Sequence, residues 1–119
     1  MTSLSIQGLG LSASCPGRTN VNTDVTFEGT IGYNLVNEGD ADLVVNIVAG
    51  MHDSAGHNTA DSRTFETIRA GQSARFDHLL RLAASYDQVG IVTVTAQLSV
   101  EGDLTFSDST FCEFPVEQF

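Results

Sequence analysis

The alternation that begins at Val25 constrains this chain more than anything else in it. Val25, Phe27, Gly29, Ile31, Tyr33 and Leu35 occupy the odd positions, and Thr26, Glu28, Thr30, Gly32 and Asn34 fall between them. Successive side chains of an extended strand point to opposite faces, so this run has one face for the core and one for water. A helix would spread the same apolar residues around its whole circumference. Asn37-Glu38-Gly39-Asp40 then breaks the pattern with turn formers. Leu43, Val45, Ile47 and Ala49 resume it, with Val44 and Val48 on the other face.

The rest of the chain repeats this grammar. His52 to Asn58 is polar and contains Gly56, which predicts a hairpin or loop leading into Arg63 to Ile68. After the break at Ala70-Gly71-Gln72, Ala74, Phe76, His78, Leu80 and Leu82 alternate with Ser73, Arg75, Asp77, Leu79 and Arg81. Helix competes over Ser73 to Ser85, because Leu and Ala favour it, but the alternation favours strand. From Val92 to Val100 the even positions are apolar and β-branched residues are dense. Glu101-Gly102-Asp103 reads as a three-residue hairpin, and Leu104, Phe106, Thr110, Cys112 and Phe114 complete the meander. With an initial strand near Leu4 to Ala13, carrying Ile6, Leu9 and Leu11, the count is seven or eight. The pattern predicts an all-β fold, an antiparallel β-sandwich formed by one domain over residues 1–119.

Charge narrows the function. Fifteen acidic residues face five arginines and no lysine, a formal net charge of -10. Arg18, Arg63, Arg69, Arg75 and Arg81 are dispersed, whereas a nucleic-acid surface needs clustered cations, so nucleic acid is not an expected partner. Anionic membrane surfaces are disfavoured for the same reason, and no apolar run approaches the ~20 residues of a membrane-spanning helix. The first residues lack a basic stretch followed by a long apolar one. The expected location is cytoplasmic as written, or extracellular if a leader was removed.

Few residues carry recognisable chemistry. His52, Asp53 and His57, with Asp61 beyond, are the candidate metal ligands, since two imidazoles and a carboxylate suit Zn²⁺ or Cu²⁺. Ordinary polar loop residues are the competing reading. Asn37 to Asp42 superficially suggests a calcium loop but lacks its alternating ligands and terminal Glu. His78 falls on the apolar set of its strand, which suggests a hydrogen-bonded core histidine. No serine elbow, phosphate loop or dinucleotide fingerprint is present, so no catalytic residue and no cofactor is assigned.

Asn22 to Phe27, Tyr33 to Ala41, Ile68 to Ser73 and Tyr86 to Val94 together carry a resemblance covering about residues 20–110. The turn after the second strand, the Ala70-Gly71-Gln72-Ser73 turn and the Tyr86 to Val94 run resemble bacterial immunoglobulin-like modules of the cell-adhesion-related (CARDB-like) and fibronectin type III kinds. The resemblance implies an immunoglobulin-like sandwich, and a non-enzymatic module that binds a protein or carbohydrate partner through end loops or a strand edge. Glu38, Asp40, Asp42 and Asp103 are then candidate binding-loop residues. Arg75 and Arg81, on the polar side of one strand, offer another surface. In many such sandwiches the first and last strands are neighbours, which would let Cys15 and Cys112 form a disulfide; two buried free thiols are the alternative. Two other functions stay open: a small metal-binding protein or enzyme built on His52, Asp53 and His57, and a self-assembling homo-oligomer that packs Phe111, Phe114 and Phe119 between subunits.

Overall fold

The computed structural model describes residues 4–101 and 104–118, and no helix occurs among them. None is therefore long and apolar enough to cross a membrane. The strands are β1 (Leu4–Ser14), β2 (Thr19–Asn20), β3 (Val25–Asn37), β4 (Leu43–Asp53), β5 (Asn58–Ile68), β6 (Ser73–Ala84), β7 (Gly90–Val100) and β8 (Leu104–Glu117). They form two sheets, β1-β3-β6 and β2-β8-β7-β4-β5. Every pairing is antiparallel except the short parallel one of β2 with β8. The molecule is a rod of 59 × 21 × 20 Å.

The alternation decides which side chains meet between the sheets. Ile31, Tyr33 and Leu35 from β3, Ile47, Ala49 and Met51 from β4, and Val94, Ala96 and Val100 from β7 are all fully buried in one cluster. Burying a side chain of the larger kinds contributes about 1.5–3 kcal/mol. Over Ser73 to Ala84, strand prevails over local helical propensity because β6 pairs with β3 from Val25↔Ala84 to Val36↔Ser73. That pairing turns Phe76, His78, Leu80 and Leu82 into the core.

Both long sides of the rod are closed. On one, a Cys15–Cys112 disulfide with Cα atoms 6.5 Å apart joins the end of β1 to β8. On the other, β5 meets β6: the Arg63 guanidinium donates to the Asp77 carbonyl at 3.3 Å, and Asp61 Oδ2 lies 2.7 Å from His78 Nδ1.

Bulges reset the alternation where the sequence pattern falters. Gly8 and Leu9 together oppose Tyr33, with Gly8 at φ 63°, so Leu11 resumes the inward face and Leu9 turns to solvent instead of joining the apolar set. Phe111 is the extra residue between Thr110 and Cys112, which face the adjacent Thr95 and Val94. Its ring is consequently drawn inward over Gly29, where an added Cβ would lie 2.9 Å from Phe111 Cζ. Phe114 is buried in the core and Phe111 is half-buried against it; Phe119 lies outside the described residues.

Candidate functional site

The turn joining β4 to β5 is shorter than the polar sequence suggests, because β4 continues through Asp53 and β5 begins at Asn58. Strand alternation therefore separates the candidate ligands. Asp53 continues the inward set of Val45, Ile47, Ala49 and Met51, while His52 falls on the outer face with Val48 and Gly50. The structure brings His57 onto Asp53 and leaves His52 on the far side of the strand. No group of three metal-ligating side chains assembles among the described residues.

Asp53 is a hub. Its Oδ1 accepts from the Ala55 and His57 amides at 3.0 and 2.9 Å. Its Oδ2 takes the Tyr86 hydroxyl at 2.7 Å and lies 2.9 Å from His57 Nδ1. Burial pushes this carboxyl up, but the bonds from Tyr86 and His57 pull it further down, and the net lies below the ordinary 3.8. Burial, and then the bond to Asp53, raise the Tyr86 hydroxyl. The Asp53 side chain has no solvent exposure, whereas the His57 ring keeps 36% of its own. Edge-on contacts carry the anchorage inward from His57 to Tyr86, Phe114 and Phe27.

A second polar chain is internal. Tyr33 Oη lies 2.9 Å from His78 Nε2, and His78 Nδ1 lies 2.7 Å from Asp61 Oδ2. A neutral imidazole satisfies both, donating from Nδ1 and accepting the tyrosine proton at Nε2. His78 and Tyr33 are fully buried, so this chain fastens β5 to the core, and only its outer end at Asp61 keeps partial solvent exposure. The His78 bond is the largest of the influences that lower the Asp61 carboxyl, and burial is the largest that raise the Tyr33 hydroxyl.

The most exposed large apolar side chain among those described sits elsewhere. Phe65 is 80% exposed, yet its backbone has φ 56°, a conformation that bulky L residues rarely adopt. Thr64 and Phe65 form a bulge opposite Asn46. Asn46 Oδ1 accepts the Phe65 amide at 3.1 Å, the Asn46 amide donates to the Glu101 carboxylate at 2.8 Å, and the Glu101 amide donates to the Asn46 carbonyl at 2.9 Å. Exposed Val44 and Val48 flank Asn46 along β4. The sequence held one hint of this, since Phe65 and Ile68 are out of phase by the rule of two; the left-handed backbone was not visible there.

The acidic turn expected to bind lies just beyond this bulge. Asn37 is fully buried and organises the turn, donating to the Ala41 and Ile68 carbonyls and accepting the Gly39 amide. Asp42 receives the Ala70 amide at 2.9 Å. Glu38 and Asp40 are exposed, and Asp103 lies outside the described residues. Arg75 and Arg81 are engaged by Asp77 at 3.0 Å and Glu28 at 2.7 Å, so that face is locally neutralised.

No protein-family model and no curated protein sequence matches the chain. Among solved structures, an alkylpurine DNA glycosylase AlkC of Pseudomonas fluorescens bound to abasic-site DNA is similar at 15% identity and a TM-score of 0.47, over 98% of this chain and 31% of that one. A β-glucuronidase of glycoside hydrolase family 2 is similar at 13% identity and 0.49, over 93% of this chain and 11% of that one. The structural-genomics target SoR45 is similar at 12% and 0.46, over 98% and 87%. The chain thus spans under a third of the length of the first two.

Proposed function

We propose that this chain is a non-enzymatic, immunoglobulin-like binding module whose partner is a protein docked on the β4–β5 surface around Phe65. Its strand order supports the immunoglobulin-like reading: the first, third and sixth strands face a sheet in which the fourth and seventh are central neighbours. Tyr86, buried at the corner between β6 and β7, occupies a place where such sandwiches keep a tyrosine, although its hydroxyl goes to Asp53 rather than to backbone.

One observation carries the binding reading: an aromatic side chain is held out in water on a left-handed backbone. That conformation costs about 1–2 kcal/mol for an L residue, and a ring this exposed gives little packing in return. Aromatic anchors of this kind dominate protein interfaces when a partner buries them. Glu38, Asp40, Asp42 and Glu101 at the same end of the rod favour a partner whose apolar pocket is rimmed by Lys or Arg.

A benzophenone amino acid in place of Phe65, in cells expressing the chain, is expected to yield a discrete protein adduct through a Lys- or Arg-rich segment. The same probe in place of Leu79, an exposed apolar residue of β6, is expected to yield none. Absence of an adduct at 65, or the same adducts from both positions, overturns the reading.

A further inference from the structure

Gly50 lies in the middle of β4, a strand paired on one side with β5 and on the other with β7. Nothing in the fold requires a glycine there. Its φ is not left-handed, and an added Cβ would meet only the Thr59 carbonyl oxygen at 3.6 Å and Gln97 Oε1 at 3.8 Å, ordinary contact distances. The glycines inside β3 differ: a Cβ at Gly29 would press on the Phe111 ring, and one at Gly32 would overlap the Arg75 guanidinium. A glycine inside a strand weakens the folding equilibrium roughly two- to fivefold relative to alanine. Where packing does not demand it, such a glycine marks a place where another molecule comes close to the backbone.

The neighbours of Gly50 wall that opening. Directly opposed residues of paired strands share a face, so Ala60 and Gln97 flank Gly50, Asn58 lies beside His52, and Ser99 lies beside Val48. Val48 and His52 stand two residues to either side of Gly50, about 7 Å away at the usual rise. Together they line a slot of about 520 Å³ on the outer face of the sheet, a size that suits a small ligand. The side chains of His52, Asn58, Gln97 and Ser99 make no hydrogen bond to a described residue. No Lys, Arg or Glu borders the slot, and its one carboxylate, Asp53, is unexposed and already engaged.

We propose that this slot binds a neutral saccharide, independently of the Phe65 surface. The Asn58 and Gln97 carboxamides and the Ser99 hydroxyl each offer both a donor and an acceptor, which matches a sugar hydroxyl group for group. Exposed Val48 and Ala60 give the C–H face of a sugar ring an apolar contact, and the bare backbone at Gly50 lets that ring descend between the walls. A cationic ligand finds no open carboxylate in the slot. An anionic one finds no cation, and the net charge of -10 opposes it at long range. A peptide recognised through its backbone needs an unpaired strand edge, which β4, the floor of the slot, does not have.

The test is a nuclear magnetic resonance titration of the ¹⁵N-labelled full chain with maltose, cellobiose, lactose, N,N′-diacetylchitobiose and, as the charged control, glucuronate. At least one neutral sugar is expected to give saturable amide shifts at Gly50, His52, Asn58 and Gln97 with a Kd of roughly 0.1–10 mM, and glucuronate to bind at least roughly tenfold more weakly. Gly50→Val fills the slot and should weaken binding of that sugar by roughly tenfold or more, and Gln97→Ala by roughly fivefold. Gly50→Ala should leave the denaturation midpoint equal to the parent's or higher, an outcome that a purely structural glycine would not give. Phe65→Ser should leave sugar binding unchanged, so that this site and the β4–β5 surface can fail separately. No saturation by any of the neutral sugars below roughly 100 mM, glucuronate binding as tightly, indifference to Gly50→Val and Gln97→Ala, sugar binding lost with Phe65→Ser, or a lower midpoint for Gly50→Ala overturns the proposal.

Discussion

Asp53 shows how a single buried carboxylate organises one end of the rod. It accepts two backbone amides, the Tyr86 hydroxyl and the His57 imidazole, so Asp53→Ala strands four donors and should cost about 3–5 kcal/mol by denaturant titration. Its carboxyl, like that of Asp61, is lowered in the fold. A lowered carboxyl contributes stability that is fully present above its ordinary 3.8 and is lost as pH falls through the folded value. Tyr86→Phe removes one of the bonds that lower Asp53. The variant should therefore lose less stability on acidification below 3.8 than the parent does, because its folded carboxyl lies closer to the ordinary value, while starting from a loss of about 1.5–3 kcal/mol at neutral pH. In the internal chain, His78→Phe leaves the buried Tyr33 hydroxyl unpartnered and should cost about 1–3 kcal/mol, part of which Tyr33→Phe recovers. A double-mutant cycle measures that recovery, and additive losses would contradict the coupling.

At the level of elements, the bulges do the positioning. Asn46 pins the β5 bulge through the Phe65 amide and joins it to Glu101. Asn46→Ala should lower stability by about 1 kcal/mol and speed hydrogen exchange at the Phe65 amide, while exchange in β3 follows only the global change. β3, β4, β6 and β7 were legible as strands with correctly assigned inner faces, because each buries one face and alternation records that burial. β5 was legible only in its second half. It is an edge strand whose Asn58 to Thr67 side chains largely face water, so no apolar period marks it. β2, two residues long, left no signal. Leu9 and Phe111 were misplaced because a bulge shifts the period by one residue, and a period read from side chains alone does not locate the shift. The polarity of His52, Asp53 and His57 was plain, but their parting across β4 followed from the strand running further than its sequence suggested.

For the whole molecule, closure along both sides of the rod turns two sheets into one cooperative unit. The disulfide spans a sequence separation of 97, for which loop-closure entropy gives up to about 4–5 kcal/mol. Reduction should therefore lower the denaturation midpoint markedly while far-ultraviolet dichroism of the folded state stays that of a β protein. The account's central claim is that the fold carries Phe65 at a conformational cost which its own contacts do not offset. Equilibrium unfolding of Phe65→Gly tests it most directly, since glycine accepts φ 56° without strain and loses only about 0.4–1 kcal/mol through the freer unfolded chain. The predicted result is a stability equal to the parent's or higher by up to about 1 kcal/mol; a loss greater than about 1 kcal/mol would mean that the ring supports the fold, contradicting its role as an anchor held out for a partner.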